Sequence, residues 1–170
     1  MPATGQWAVQ SGLVSNHSAH GRNLRKGRIS ESGRIYFITS SCHARNRIFA
    51  SRQSAEIMMT EFACHAAADE FESLAYVVMP DHIHWLIQLR IPTSLHEIVR
   101  RLKGRSARKV NLARNSSEPV WQKGFHDHAL RREEAIEDVA TYLIYNPLRA
   151  GLVRDVNDYP YWRSAWHSRG

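Results

Sequence analysis

A chain of 170 residues, 43% apolar and 23% charged, is long enough for one domain with its own core and has an ordinary globular composition. No apolar run approaches the roughly 20 residues that span a bilayer, Gln6 to Ser18 is too broken by polar residues for a signal peptide, and Cys42 and Cys64 lack Cys-x-x-Cys spacing. These features argue against a membrane protein, a disulfide scaffold and a thiolate zinc site, and suit a reducing cytosol. The 23 Lys and Arg against 16 Asp and Glu leave a net charge of +7. The excess gathers in two places: Arg22, Arg25, Lys26, Arg28 and Arg34 near the start, and Arg100, Arg101, Lys103, Arg105, Arg108 and Lys109 further on. Clustered cations of this kind are the footprint of a polyanion binder, nucleic acid above all, although a solvated helix face has the same composition.

Residues 1–22 mix small and polar types without a period and read as a disordered leader, which leaves 23–170 as a single domain with an aromatic tail. Arg34 to Ser40 is aromatic and β-branched, a first strand, and Ser41 to Phe49 reads as a polar basic loop. Ala55, Met58, Met59, Phe62 and Ala66 form one apolar stripe, predicting a helix over 54–69 in which the methionines are core residues. Leu74 to Met79 is a near-continuous apolar run, a buried second strand. A tight Pro80-Asp81 turn leads to a third strand, His82 to Leu89.

Ser94-Leu95-His96-Glu97 has the form of a capping box and opens a second helix, with Leu95, Ile98, Val99 and Leu102 inward and Arg100, Arg101 and Lys103 outward. Gly104 is expected to interrupt it, with 106–112 either continuing the helix or becoming a basic loop. Pro119 to Leu130 reads as short extended pieces. A third helix is expected over 132–146, with Glu133 and Glu134 in its first turn and Pro147 ending it. The tail carries Tyr159, Tyr161, Trp162 and Trp166, placed to pack back on the domain or touch a ligand. The order strand, helix, strand, strand, helix, extended piece, helix predicts an α+β fold, a ferredoxin-like antiparallel sheet with helices packed on one face.

On the third strand His82 and His84 are two residues apart, so both imidazoles leave the same face while Ile83, Trp85, Ile87 and Leu89 leave the other. Two imidazoles so placed can converge on one cation. His126 and His128 repeat the His-x-His spacing. On the third helix Tyr142 and Asn146 are one turn apart, flanking the stripe Ile136, Val139, Ala140 and Leu143. Such a pair suits a nucleophile and a metal ligand of one site. It equally suits a half-buried tyrosine and a helix-ending asparagine before proline.

Four stretches in this order resemble the REP-associated tyrosine transposases, the bacterial branch of the single-tyrosine HUH transposases: Arg25 to Arg28 with Gly33 to Thr39, Tyr76 to Trp85, Trp121 to Arg131, and Tyr142 to Val153. The resemblance covers roughly residues 23–167. It implies a DNA single-strand endonuclease and ligase in which His82 and His84 bind a divalent cation, magnesium or manganese, and Asn146 completes the protein ligands. Tyr142, on the third helix, attacks the scissile phosphate to form a 5′-phosphotyrosine and free a 3′-hydroxyl. The implied substrates are REP-type palindromes folded as hairpins with a single-stranded tetranucleotide at the foot.

By the same resemblance the metal pair is His82 and His84 rather than His126 and His128, and His128 is left to contact DNA. Tyr145 points about 100° from Asn146 on a helix and is set aside as nucleophile. For DNA binding the expected residues are Arg25, Lys26, Arg28, the six cations from Arg100 to Lys109, His128, and Trp121 as a stacking platform for unpaired bases, with Phe125 or the tail tryptophans as further candidates. The expected setting is the bacterial cytoplasm, at the nucleoid. The aromatic tail favours a monomer acting in cis over a dimer with exchanged helices. Two other readings stay open: a domesticated hairpin-binding protein that no longer cleaves, and a metal hydrolase using water.

Overall fold

The computed structural model describes residues 31–66, 69–131 and 135–168. The basic residues Arg25, Lys26 and Arg28, the leader, and Glu133 and Glu134 lie outside these segments. Five strands, β1 (Ile35–Ser41), β2 (Phe71–Met79), β3 (His82–Leu89), β4 (His126–Ala129) and β5 (Trp162–Ser164), form one sheet in the order β4-β1-β3-β2-β5. Every pairing is antiparallel. Met79 pairs with His82, so Pro80 and Asp81 form a two-residue hairpin connection.

Helices α1 (Arg52–Ala66) and α2 (Leu95–Arg114) pack on one face. There Ile38, Val78, Ile83, Trp85 and Ile87 meet Ala55, Met58 and Phe62 of α1 and Ile98, Val99 and Leu102 of α2. Phe62 stacks on Tyr76 at 4.2 Å and meets Trp85 edge-on at 5.3 Å. Each such side chain, wholly buried, contributes about 1.5–3 kcal/mol.

The α+β antiparallel class is as expected, and α1 and α2 share one face. Helix α3 (Ile136–Ile144) is on the opposite one, packed with Leu86, Val77 and Met79 through Ala140, Leu143 and Ile144. The register explains this: Leu74, Ala75, Val77 and Leu86 make a second apolar patch beyond a bulge between Ser73 and Ala75, and α3 covers it.

Three boundaries differ from expectation. α2 runs unbroken through Gly104, because Leu102, Ser106 and Val110 remain buried along one side and that packing outweighs the roughly 1 kcal/mol a helical glycine costs. Its predicted cap is present, Ser94 Oγ accepting from the Glu97 N–H at 3.4 Å. The third helix ends at Ile144 rather than 146. Pro147 opens the next turn, α4 (Asn146–Arg149), instead of closing the last, as a residue without an N–H can at a helix start. The tail becomes β5, anchored by Trp162, whose indole N–H donates to the Val156 carbonyl at 3.1 Å.

Candidate active site

The alternation of β3 places His82 and His84 on the face that α3 covers. Their Nε2 atoms approach to 3.1 Å. Two nitrogens bound at 2.0–2.1 Å to one ion at tetrahedral or octahedral angles stand about 2.9–3.4 Å apart, so this spacing fits a shared cation. Each ring is held by its other nitrogen. His84 Nδ1 lies 2.9 Å from Thr39 Oγ1, its cross-strand partner. His82 Nδ1 lies 2.6 Å from Asp81 Oδ1, and Arg45 Nε lies 3.0 Å from the other oxygen of that carboxylate. A carboxylate only accepts, so His82 donates from Nδ1 and its Nε2 carries the lone pair. When His84 donates to Thr39, its Nε2 lone pair also points at the site and both rings can ligate one cation; when Thr39 donates instead, His84 Nε2 donates to His82 Nε2.

Burial pushes both imidazoles down. His84 falls to about 3, through burial first and then the neighbouring His82, Arg149 and Arg45. His82 also falls, burial outweighing the Asp81 hydrogen bond that pulls it up. Both are therefore neutral near pH 7, the form that ligates metals. Among the described residues no three His, Cys, Asp or Glu are grouped to hold a metal ion, so a third ligand drawn from them would be of another type.

An amide on α4 is such a candidate. Asn146 turns its nitrogen back on α3, donating to the Leu143 carbonyl at 2.9 Å, which leaves the oxygen as the end that can face a cation. Tyr142 is 53% exposed. The Arg149 guanidinium lies over its ring, 3.8 Å from the centroid. Among the described residues the ring, ion-pair and hydrogen-bond contacts of Tyr142 are with Arg149 and Asn146, not with either histidine. Tyr145 caps α3, its N–H donating to the Thr141 carbonyl.

The sequence description Transposase IS200 like matches residues 32–146, from just before β1 to the asparagine of α4. The chain belongs to this family. It is 32% identical over 108 residues to a Haemophilus influenzae protein named for the REP-associated tyrosine transposases, the match covering 57% of this chain and 60% of that one. It is 30% identical over 91 residues to the REP-associated tyrosine transposase of Escherichia coli K12, covering 54% and 53%. The chain thus spans between half and three fifths of the length of these curated relatives. The solved structure of a REP-associated tyrosine transposase bound to a REP hairpin superposes with a TM-score of 0.63 over 79% of this chain and 78% of that one, at 22% identity, which establishes a shared fold.

Within this IS200-like transposase fold the basic helix is not where the histidines are. α2 covers the opposite face of the sheet, and most of its cations are engaged. Arg105 lies 3.1 Å from the wholly buried Glu61 of α1, and Lys109 pairs with the same carboxylate. Arg101 pairs with Glu70, and Arg100 with Glu97 at 2.8 Å. Lys103, pushed down to about 8 by burial, donates to the carbonyls of Gln122 and Gly124 at 2.7 and 2.6 Å and so pins the loop leading into β4. Arg108 is exposed. Trp121 is a packing residue at this junction, against Phe49 at 5.2 Å and donating to Ser106 Oγ at 3.0 Å. Phe125 packs at the edge of the same core.

The register puts His126 opposite Thr39 and His128 opposite Phe37, so both lie on the same face as His84 but with β1 between. Two strand spacings separate the backbones of His126 and His84 by about 10 Å. Beside His82 is a basin of about 310 Å³ lined by Arg45, Arg47, Met79, Pro80, Asp81, His82, Ala150 and Leu152. Ala44 and Arg45 take left-handed φ of 50° and 57°, a conformation costly outside glycine, and this turn carries Arg45 to Asp81. Sequence reasoning missed Thr39, Asp81, Arg45, Arg47 and Arg149. Asp81 could have been found from its place beside His82, whereas Thr39 needed the strand register.

Proposed function

We propose that this chain is a metal-dependent single-strand DNA transesterase that cleaves and rejoins at REP-type hairpins through Tyr142. The observation that carries the reading is the pair of Nε2 atoms 3.1 Å apart, each imidazole held from behind, on the sheet face covered by the helix that bears Tyr142. His82 and His84, with the Asn146 oxygen, would hold a divalent cation, magnesium or manganese. When bound, that ion would polarise the scissile phosphate and stabilise the leaving oxygen.

The chain's own part is positioning. The Tyr142 oxygen attacks phosphorus, the bond to O3′ breaks, the phenol proton is given up and O3′ gains one, leaving a 5′-phosphotyrosine and a 3′-hydroxyl. The bond energy is conserved, so a 3′-hydroxyl from another strand can reverse the step and release the tyrosine. The basin with Arg45 and Arg47 suits the unpaired foot of a hairpin, offering cations for phosphate and Met79, Pro80 and Leu152 as an apolar wall. Arg108, His128 and the basic residues Arg25, Lys26 and Arg28 would meet the duplex backbone, and a nucleoid setting in the cytoplasm follows from such a substrate. The tail's Trp162 packs in the cluster that seats α3 on its own sheet, which favours a monomer acting in cis.

The test is incubation of the protein with a hairpin oligonucleotide bearing a single-stranded foot, with manganese or with a chelator. Wild type should form a covalent adduct that survives a denaturing gel, in manganese only, and Tyr142→Phe should form none. Equal adduct from Tyr142→Phe would remove Tyr142 from the chemistry. Tight, salt-sensitive hairpin binding with no adduct under any metal would instead mark a non-cleaving binder.

A further inference from the structure

We propose that Arg149 positions the tyrosine: its guanidinium fixes Tyr142 against the end of α3 and holds a permanent positive charge beside the point of attack. This rests on the reading of Tyr142 as nucleophile and adds a residue to it.

The contacts are specific. The guanidinium carbon sits 3.8 Å from the centroid of the Tyr142 ring, and Nη2 donates to the Tyr142 carbonyl at 2.5 Å. One side chain thus holds both the ring and the backbone of the same residue. That carbonyl belongs to the last turn of α3, where acceptors have no partner within the helix. The neighbouring acceptor, the Leu143 carbonyl, is taken by Asn146. An exposed tyrosine on a helix end otherwise changes rotamer freely. A planar cation stacked on its face and tied to its own carbonyl removes that freedom.

The approach of Arg149 is itself fixed. Pro147 starts the short α4, the Arg149 N–H donates to the Tyr145 carbonyl at 3.1 Å, and the Leu152 N–H closes on the Pro147 carbonyl at 3.0 Å.

Arginine stays charged at any working pH.

The experiment compares wild type, Arg149→Ala and Arg149→Lys on the footed hairpin in manganese, reading hairpin affinity and single-turnover adduct formation separately. We expect affinity to hold while the adduct rate falls about 10–100-fold in both variants, the scale of a misplaced reacting group. Added methylguanidinium should restore most of the rate to Arg149→Ala and none to Tyr142→Phe. An Arg149→Ala rate equal to wild type overturns the proposal. So does a rate loss that follows affinity or melting temperature and is not rescued, since that marks a structural role.

An NMR readout needs no chemistry. The Arg149 side-chain N–H signals should be ring-shifted in wild type and Tyr142→Phe and not in Tyr142→Leu. Absence of that shift overturns the stack itself. If wild type shows the shift but never forms adduct, the nucleophile reading has failed first, and Arg149 is left a helix cap.

Discussion

The two faces of the sheet come from one alternation of residues along β1, β2 and β3, yet they are finished differently. Toward α1 and α2, Ile83, Trp85 and Ile87 are wholly enclosed and the helices are locked together by ion pairs around the buried Glu61. Toward α3 the same strands present Thr39, His82 and His84, and the helix above them leaves Tyr142 half in solvent. An enclosed face supplies stability without needing chemistry. Because it does, the other can keep two neutral imidazoles nitrogen to nitrogen, a spacing that suits a shared cation.

The largest expected effects separate the faces by stability and activity. Phe62→Ala on the closed face and Trp162→Ala on the open one should each cost about 3–5 kcal/mol, read from urea denaturation midpoints. At a temperature where both remain folded, Phe62→Ala should still form adduct. Trp162→Ala should lose it, because Trp162 belongs to the cluster that seats Ala140, Leu143 and Ile144 of α3. Equal activity in the two would mean the tail does not position the tyrosine helix.

A smaller effect is confined to the open face. Asp81→Asn removes the carboxylate that orients His82 and should weaken manganese binding about 10–100-fold by calorimetry while the melting temperature of the metal-free protein moves little. Unchanged metal affinity would detach Asp81 from the site.

The smallest is a slope. His84 has a folded value near 3 against 6.5 for an ordinary imidazole. Between these the unfolded chain binds the extra proton, so stability rises with pH and is lost as pH falls from about 6.5 toward 3. In chelator, metal-free protein should lose on the order of 1–2 kcal/mol by pH 5, and His84→Gln should show a shallower loss. Identical slopes would place the sensitive group elsewhere.

Much of the closed face was legible in the sequence. The stripe of α1, the box at Ser94 and the two-residue Pro80-Asp81 turn are local patterns, set by helical and strand periods that a reader can count. Misreadings arose where a distant partner decided. Gly104 stays helical because the sheet side of α2 is packed, and Pro147 begins a turn because its missing N–H costs nothing there. The basic run from Arg100 to Lys109 reads as a free cationic surface, whereas Glu61 and Glu70, some 30 to 50 positions away, pair with Arg101, Arg105 and Lys109 while those side chains stay exposed.

The site divides in the same way. Alternation along a strand was enough to put His82 and His84 on one face, a property of neighbours in the chain, whereas the helical spacing that set Tyr142 and Asn146 on one helix fails at Ile144, where α3 ends and Asn146 opens α4. Only the tertiary structure could say that α3 lies over the histidine face, that Thr39 backs His84 through strand register, and that Arg149 holds the ring of Tyr142. Those outcomes depend on which apolar patches meet and which strands pair, free energies that belong to pairs of segments and not to either alone.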